Sequence, residues 1–298
     1  MVAKLNLYTL GRFRVENGEE TVTKGVNKTS KRWQLLQYLI TYRQRDISRE
    51  ELITSLNLHE NSDPEGALSA LVYRLRKRLE NGYEQLDDFI KTNGSSYTFN
   101  LRKNYWQDAE EFDQLCQQCQ EMAAAETERV VKKFQQALTL YQGDYLEEAR
   151  SHEWVWNARN YYRDLLVTTL GDLDEYMRRR EQFEQLWEFY EKVHEMVKFD
   201  EKLLTGAIRA MLEAGREGLA RMKYEEAVSI FKENDLELPP DLEKLGRQLS
   251  SGSIEDPNNF IQKIRQRSLA DNAFVCEPQT FSEFYELEKR RAGSGESC

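Results

Sequence analysis

The sequence predicts a mainly α-helical protein with a small β component at its N-terminal end, and three observations carry that expectation. Apolar residues alternate in short bursts only over residues 4–23 and again around residues 89–101. Elsewhere, from Thr29 to Glu80 and from about Trp106 onward, they recur at helical spacing. Charge divides where the pattern divides. Residues 1–102 hold 16 Lys and Arg against 13 Asp and Glu, a net of +3, whereas the remaining 196 hold 26 against 39, a net of −13.

The elements follow in order. Leu5, Leu7, Leu10, Phe13, Val15 and Val22, interrupted by ENGEE, read as two or three short strands turning at Asn17 and Gly18. From Thr29 the period lengthens, and Trp33, Leu36, Leu39 and Ile40 form the apolar face of a first helix. A second begins at ISREELITSL, where Ser48 and Glu51 stand three apart as a capping box. A third starts at Asp63, with Pro64 suited to its first turn. FIKTNGSSYTFNL then returns to alternation, with Tyr97, Phe99 and Leu101 beyond a glycine-containing turn. Strands, three helices and a hairpin, in that order, make a winged helix-turn-helix.

Beyond Trp106 strand signals cease. Residues 108–122, 128–141, 153–179, 181–197, 201–214 and 216–232 read as amphipathic helices. Two stretches, around Tyr190 and Tyr224, superimpose at a spacing of 34–35 residues. That is the period of tetratricopeptide (TPR) helix pairs, whose stacking buries what each pair leaves exposed. GSIEDPNN (252–259) reads as a linker and PQTFSEFYELEKRR as a further helix. The division expected is 1–102, 104–250, and a linker with a helical tail over 251–298. That tail is either the start of a further unit or a segment that docks on the repeats.

Composition excludes several classes. No run of about 20 apolar residues could cross a bilayer, and MVAKLNLYTLGRF lacks the plan of a signal peptide, so a cytoplasmic protein is expected. A net charge of −10 argues against indiscriminate coating of nucleic acid. Cys116 and Cys119 have CxxC spacing, but no strand precedes them and no second ligand pair follows, so helix geometry alone explains them. The three histidines (His59, His152, His194) lie far apart, and there is neither a nucleophile turn nor a glycine-rich phosphate loop. No enzyme activity, metal or cofactor is expected.

The residues that point to a partner lie in GALSALVYRLRKRLE (66–80). Leu68, Leu71, Val72, Leu75 and Leu79 form one stripe. Gly66, Ala70, Tyr73 and Lys77 face the other way, with Ser69 and Arg74 beside them. Small residues early in such a helix allow close approach to base edges. Arg76 and Arg78 emerge at the flanks, where they could reach phosphates. Basic residues near a helix C-terminus also suit its dipole, whatever the function.

In context the resemblance is specific. SREELI, LVYRLRKRLE and IKTNGSSYTF make residues 1–102 similar to OmpR/PhoB-type winged-helix DNA-binding domains. DAEEFDQLC, ALTLYQGDYL, EWVWNARNYY and ELPPDLEKL make residues 104–250 resemble the bacterial transcriptional activator domain (BTAD). Together they resemble SARP-type activators. The resemblance implies double-stranded promoter DNA as partner, with Arg49 on a phosphate, Ser69, Ala70, Tyr73, Arg74 and Lys77 in the major groove, and Lys91 and Asn93 near the wing. It further implies a homodimer side by side on direct repeats, and RNA polymerase recruited through the acidic repeats. Gly66 and Thr98 stand where such domains often carry a basic residue, which weakens binding. Two other readings compete: a helical-repeat adaptor whose winged helix binds protein, and a regulator gated by a small-molecule effector. For the latter, Arg178, Arg179 and Arg180 are the candidate ligands of an acidic nucleotide messenger; a solvated helix end is their other reading.

Overall fold

The computed structural model describes residues 5–80, 89–100, 104–124, 129–149, 151–197 and 200–251. The expected linker at 252–259 and the tail helix lie outside them. Residues Met1–Leu245 form one compact unit, and Gly246–Cys298 a second.

Strand β1 (Leu5–Tyr8) alternates buried and half-buried residues, as its apolar pattern requires. It pairs antiparallel with β2 (Arg14–Asn17), which turns at Gly18 (φ 60°) into β3 (Glu20–Thr21). A strand that the sequence pattern is too short to show, β7 (Tyr105–Gln107), lies parallel to β1 at the other edge. A second sheet, in the order β4 (Ile47–Ser48), β6 (Ser96–Phe99), β5 (Ile90–Asn93), forms the wing and its anchor.

Between the sheets, α1 (Lys31–Thr41) is buried continuously from Trp33 to Ile40. It packs on α3 on one side and on the short turn Glu153–Val155 on another. Helix α2 (Arg49–Ser55) realises half of the expected capping box. Ser48 Oγ accepts the Glu51 amide at 3.1 Å, but the Glu51 carboxylate turns away to accept from Arg45 and from the Tyr38 hydroxyl at 2.7 Å. Those hydrogen bonds, Arg45 first among them, hold Glu51 below its ordinary carboxylate range despite its partial burial. Helix α3 (Pro64–Glu80) starts where Pro64 is harmless, and Asp63 Oδ1 accepts the Gly66 amide at 2.9 Å.

The helical part comprises α4 (Asp108–Ala124), α5 (Val130–Leu140), α6 (Trp156–Arg178), α7 (Phe183–Met196), α8 (Glu201–Glu213), α9 (Glu217–Glu233) and α10 (Pro240–Ser251). The last, absent from the periodicity reading, begins at a proline. Successive helices α6, α7, α8 and α9 pack on one another in order. Tyr162, Tyr176, Phe189 and Tyr190 are buried packing groups, whereas Trp156 and Tyr161 are exposed. Tyr190 occupies the space left by Gly206: a Cβ there would lie 2.3 Å from its ring. Cys116 and Cys119 are both buried, and burial pushes each thiol up to about 12, which leaves them protonated core groups. Among the described residues no helix is long and apolar enough to cross a membrane, and no cluster of His, Cys, Asp and Glu could hold a metal ion.

The expected division near residue 103 is not a gap in packing. One apolar core runs from Leu5 to Ala210. Asp108, at the start of α4, is 2 % exposed and accepts from the Thr9 amide (2.7 Å), the Thr9 hydroxyl (2.7 Å) and the Leu10 amide (2.9 Å). The string QGDYL docks against the same loop: Leu146 N donates to Thr9 O (2.7 Å), Gly11 N to Asp144 O (3.0 Å), and Glu147 N to Gly11 O (3.1 Å). Gly11 (φ 99°) and Gly143 (φ 152°) meet here, and a Cβ on Gly143 would lie 3.3 Å from the Gly11 Cα. Both take a positive φ that favours glycine, and a side chain on either would crowd this contact. Arg43 to Glu110 (2.6 Å) and the Tyr42 hydroxyl to Trp154 O (2.9 Å) extend the seam.

Candidate nucleic-acid interface

Helix α3 is two-sided. Leu68, Leu71, Val72, Leu75 and Leu79 are buried against α1 and α2, while Ser69, Ala70, Tyr73, Arg74 and Lys77 are exposed on the far side. The apolar spacing that puts the leucines inside necessarily puts these five outside. Arg74 Nε donates to the Ala70 carbonyl at 3.1 Å, and the Lys77 ammonium stands 4.9 Å from the Tyr73 ring centroid.

Arg76 and Arg78 depart from the expectation that they project toward phosphates. Arg76 donates to Ile90 O through Nε (3.1 Å) and Nη2 (2.7 Å), and to the Thr92 hydroxyl (2.8 Å), so its guanidinium ties α3 to strand β5 of the wing. Arg78 Nη2 donates to Val22 O at 2.9 Å, which ties α3 to the segment after β3. Their positions flank the buried stripe, close enough to neighbouring carbonyls that the protein itself satisfies them. They orient the helix.

Arg49 opens α2 beside the wing: its amide donates to Ser95 O (3.1 Å) and its half-buried guanidinium lies 5.7 Å from the Tyr97 ring. The nearest carboxylate, on exposed Glu65, is a loose 3.9 Å away, a contact weak enough for a phosphate to replace. The wing itself is a two-residue hairpin with Gly94 at φ 60°. Lys91 is half-buried on its first strand. Asn93 Nδ2 donates to Asp46 Oδ1 at 3.2 Å, and the Thr98 hydroxyl donates to the same oxygen. Asp46, a residue the sequence pattern did not single out, therefore anchors the wing. Its carboxylate puts a negative charge beside Thr98, opposite in sign to what a basic residue at that position would supply. Glu50, Glu60, Asp63 and Glu65 are exposed near the first turns of α2 and α3, so the face draws its attraction for a polyanion from few cations.

The arginine run is committed elsewhere. Arg178 pairs with Asp174 and with Glu213, Arg179 lies 3.8 Å from Glu175, and the Arg180 guanidinium covers the Tyr176 ring at 4.1 Å. The Tyr190 hydroxyl donates to Asp174 (2.5 Å), closing a network that joins α6, α7 and α8. The three charges act as a packing device at the break between α6 and α7, where Glu181 takes φ 57°.

Two family models match the chain. Residues 23–99 match "Transcriptional regulatory protein, C terminal", and residues 107–250 match "Bacterial transcriptional activator domain". The solved structure of EmbR from Mycobacterium tuberculosis in complex with a low-affinity phosphopeptide has a similar fold, with a TM-score of 0.65 at 18% identity, covering 90% of this chain and 70% of that one. No curated protein matches the sequence. The fold, the exposed helix and the two matches define a non-enzymatic, DNA-binding transcriptional regulator with a winged helix-turn-helix joined to a helical activator domain. Those two domains in that order are the arrangement of the SARP-type regulators, which this chain resembles.

Proposed function

We propose that this chain is a sequence-specific activator that places α3 in the major groove of promoter DNA. Ser69, Ala70, Tyr73, Arg74 and Lys77 face base edges and groove walls, Arg49 takes a phosphate, and Lys91 and Asn93 stand beside the minor groove at the wing. The observation that carries this reading is the sidedness of α3: the five outward residues are exposed together, on a helix whose other face is wholly packed. Arg76 and Arg78 have the separate duty of holding that helix against the wing and the N-terminal sheet.

Few cations mean modest affinity for one copy. Two copies side by side on direct repeats recover it, because the second contact is made at high effective concentration. The acidic helical domain, net −11 over residues 103–250, is repelled by the phosphate backbone and is left free for RNA polymerase, in a protein that works in the cytoplasm. Binding should weaken with salt at a log–log slope of about −0.9 per phosphate neutralised.

The test is the double variant Arg74→Ala, Lys77→Ala in the full chain, measured by footprinting and fluorescence anisotropy beside a thermal melt. Neither side chain contributes to the core, so the melt should stay within about 0.5 kcal/mol of the parent while the footprint disappears. A normal footprint from this variant would refute the assignment of α3.

A further inference from the structure

The outward stripe of α3 carries one large uncharged group. Tyr73 exposes 58 % of its surface, in the middle of a helix whose outward residues one and two turns earlier are Ser69, Ala70 and Gly66. Helical side chains lean toward the N-terminus, so the ring extends over the turn bearing Ser69 and Ala70, where nothing bulky displaces it. The Lys77 ammonium, 4.9 Å from the ring centroid, closes off its C-terminal side. Arg74, the other long side chain at this level, is drawn back onto its own helix by the bond from Nε to Ala70 O. What projects farthest at the centre of the stripe is therefore an aromatic ring. The major groove presents few apolar partners to such a ring, chiefly the 5-methyl group of thymine.

We infer that Tyr73 is a specificity-determining residue that reads a thymine 5-methyl group. The inference rests on the placement of α3 in the major groove, and it adds what that helix recognises: an A·T pair at the centre of each half-site, selected by apolar contact. Lys77, against the ring, positions it.

The full chain is used to select binding sites from random duplexes. Each thymine of the selected duplex is then replaced singly by deoxyuridine, which deletes the methyl and leaves every hydrogen-bonding group of the base in place. Anisotropy titrations should show a loss of about fourfold, the worth of one buried methyl, at one thymine per half-site and little elsewhere. Tyr73→Ala should bind the thymine and deoxyuridine duplexes equally, and Tyr73→Phe should keep the discrimination, since the hydroxyl plays no part. Equal binding of every deoxyuridine duplex by the parent protein, or discrimination that survives in Tyr73→Ala, would overturn the inference while leaving DNA binding intact. Failure to select any duplex at low salt would overturn the DNA reading itself, and this inference with it.

Discussion

Asp108 offers the sharpest test of how the two parts of the chain are joined. Its carboxylate is almost inaccessible to water and faces donors only: the amides of Thr9 and Leu10, the Thr9 hydroxyl and the Ala109 amide. Burial nevertheless lifts its pKa above the ordinary 3.8, against the downward pull of those bonds, so the buried charge is itself a cost. Asp108→Ala removes that cost but strands two main-chain donors, on residues that are 0% (Thr9) and 2% (Leu10) exposed. At about 1–3 kcal/mol per orphaned buried donor, less the recovered desolvation, the net loss is about 3 kcal/mol. That is a large part of an ordinary stability of about 5–15 kcal/mol. For a unit of this size it lowers the melting temperature by roughly 6–12 °C. Asp108→Asn keeps one acceptor oxygen but turns an amine toward the remaining donors, and should fall between the two.

The assay is urea unfolding followed by tryptophan fluorescence and far-ultraviolet circular dichroism together. Trp33 lies in the winged-helix part and Trp187 in the helical part, so both report. Because one core spans the seam, the Asp108→Ala transition should move as a single step in both signals. A winged-helix transition that splits away from an unshifted helical one would refute the claim of a continuous core. A shift under about 1 kcal/mol would refute the claim that these donors depend on Asp108.

Two further outcomes are expected. Gly66→Lys places a Cβ within 2.0 Å of the Asp63 carboxylate, a movable side-chain end; the lost cap, about 1 kcal/mol, is offset by removing glycine from a helix, also about 1 kcal/mol. Stability should hardly change while the salt slope of DNA binding steepens by about 0.9, and an unchanged slope would refute the placement of residue 66 beside the backbone of DNA. His194 is held neutral, its pKa lowered first by burial and then by Lys223. Its contribution to stability is complete above the ordinary 6.5 and is lost as pH falls through that value toward the folded one. Urea midpoints should therefore decline on acidification from neutrality, and His194→Gln should flatten the decline; identical profiles would exclude His194, leaving the similarly depressed His152 as the source.

The sequence made the two faces of α3 legible because a 3.6-residue period allows one solution: five buried aliphatic residues dictate which five others face out. The same reasoning could not place Arg76 and Arg78, since a flanking guanidinium goes wherever a carbonyl is nearest, and Ile90 and Val22 are distant in sequence. The partners of the arginine run at 178–180 were out of reach for a related reason. Its partners Asp174 and Glu175 lie one turn back on the same helix, but Glu213 arrives from α8, through packing that no local pattern encodes. The seam was hidden more deeply. β7 has three residues, and the reason for Gly143 in QGDYL is Gly11, more than a hundred positions away. A distinctive string was visible, but its partner was not.

The division of labour at Tyr38 gives the seam a consequence. Its ring meets Trp154 edge-on at 5.1 Å, on the helical-domain side of the seam. Its hydroxyl donates to Glu51 of α2, two residues from the proposed phosphate contact at Arg49. Burial raises that hydroxyl to about 12, so it remains a donor throughout the physiological range. The residues that face outward on α3 take no part in the seam, and the seam residues Thr9 to Phe13 take no part in the α3 face. Helix α1 is the element that packs on both α3 and the Glu153–Val155 turn. A displacement of that turn would reach α1 directly, and Tyr38 gives it a hydrogen-bonded path to the start of α2. The winged helix is consequently not a detachable unit carried on a tether; its α3 face is held by the same packing that holds the helical domain.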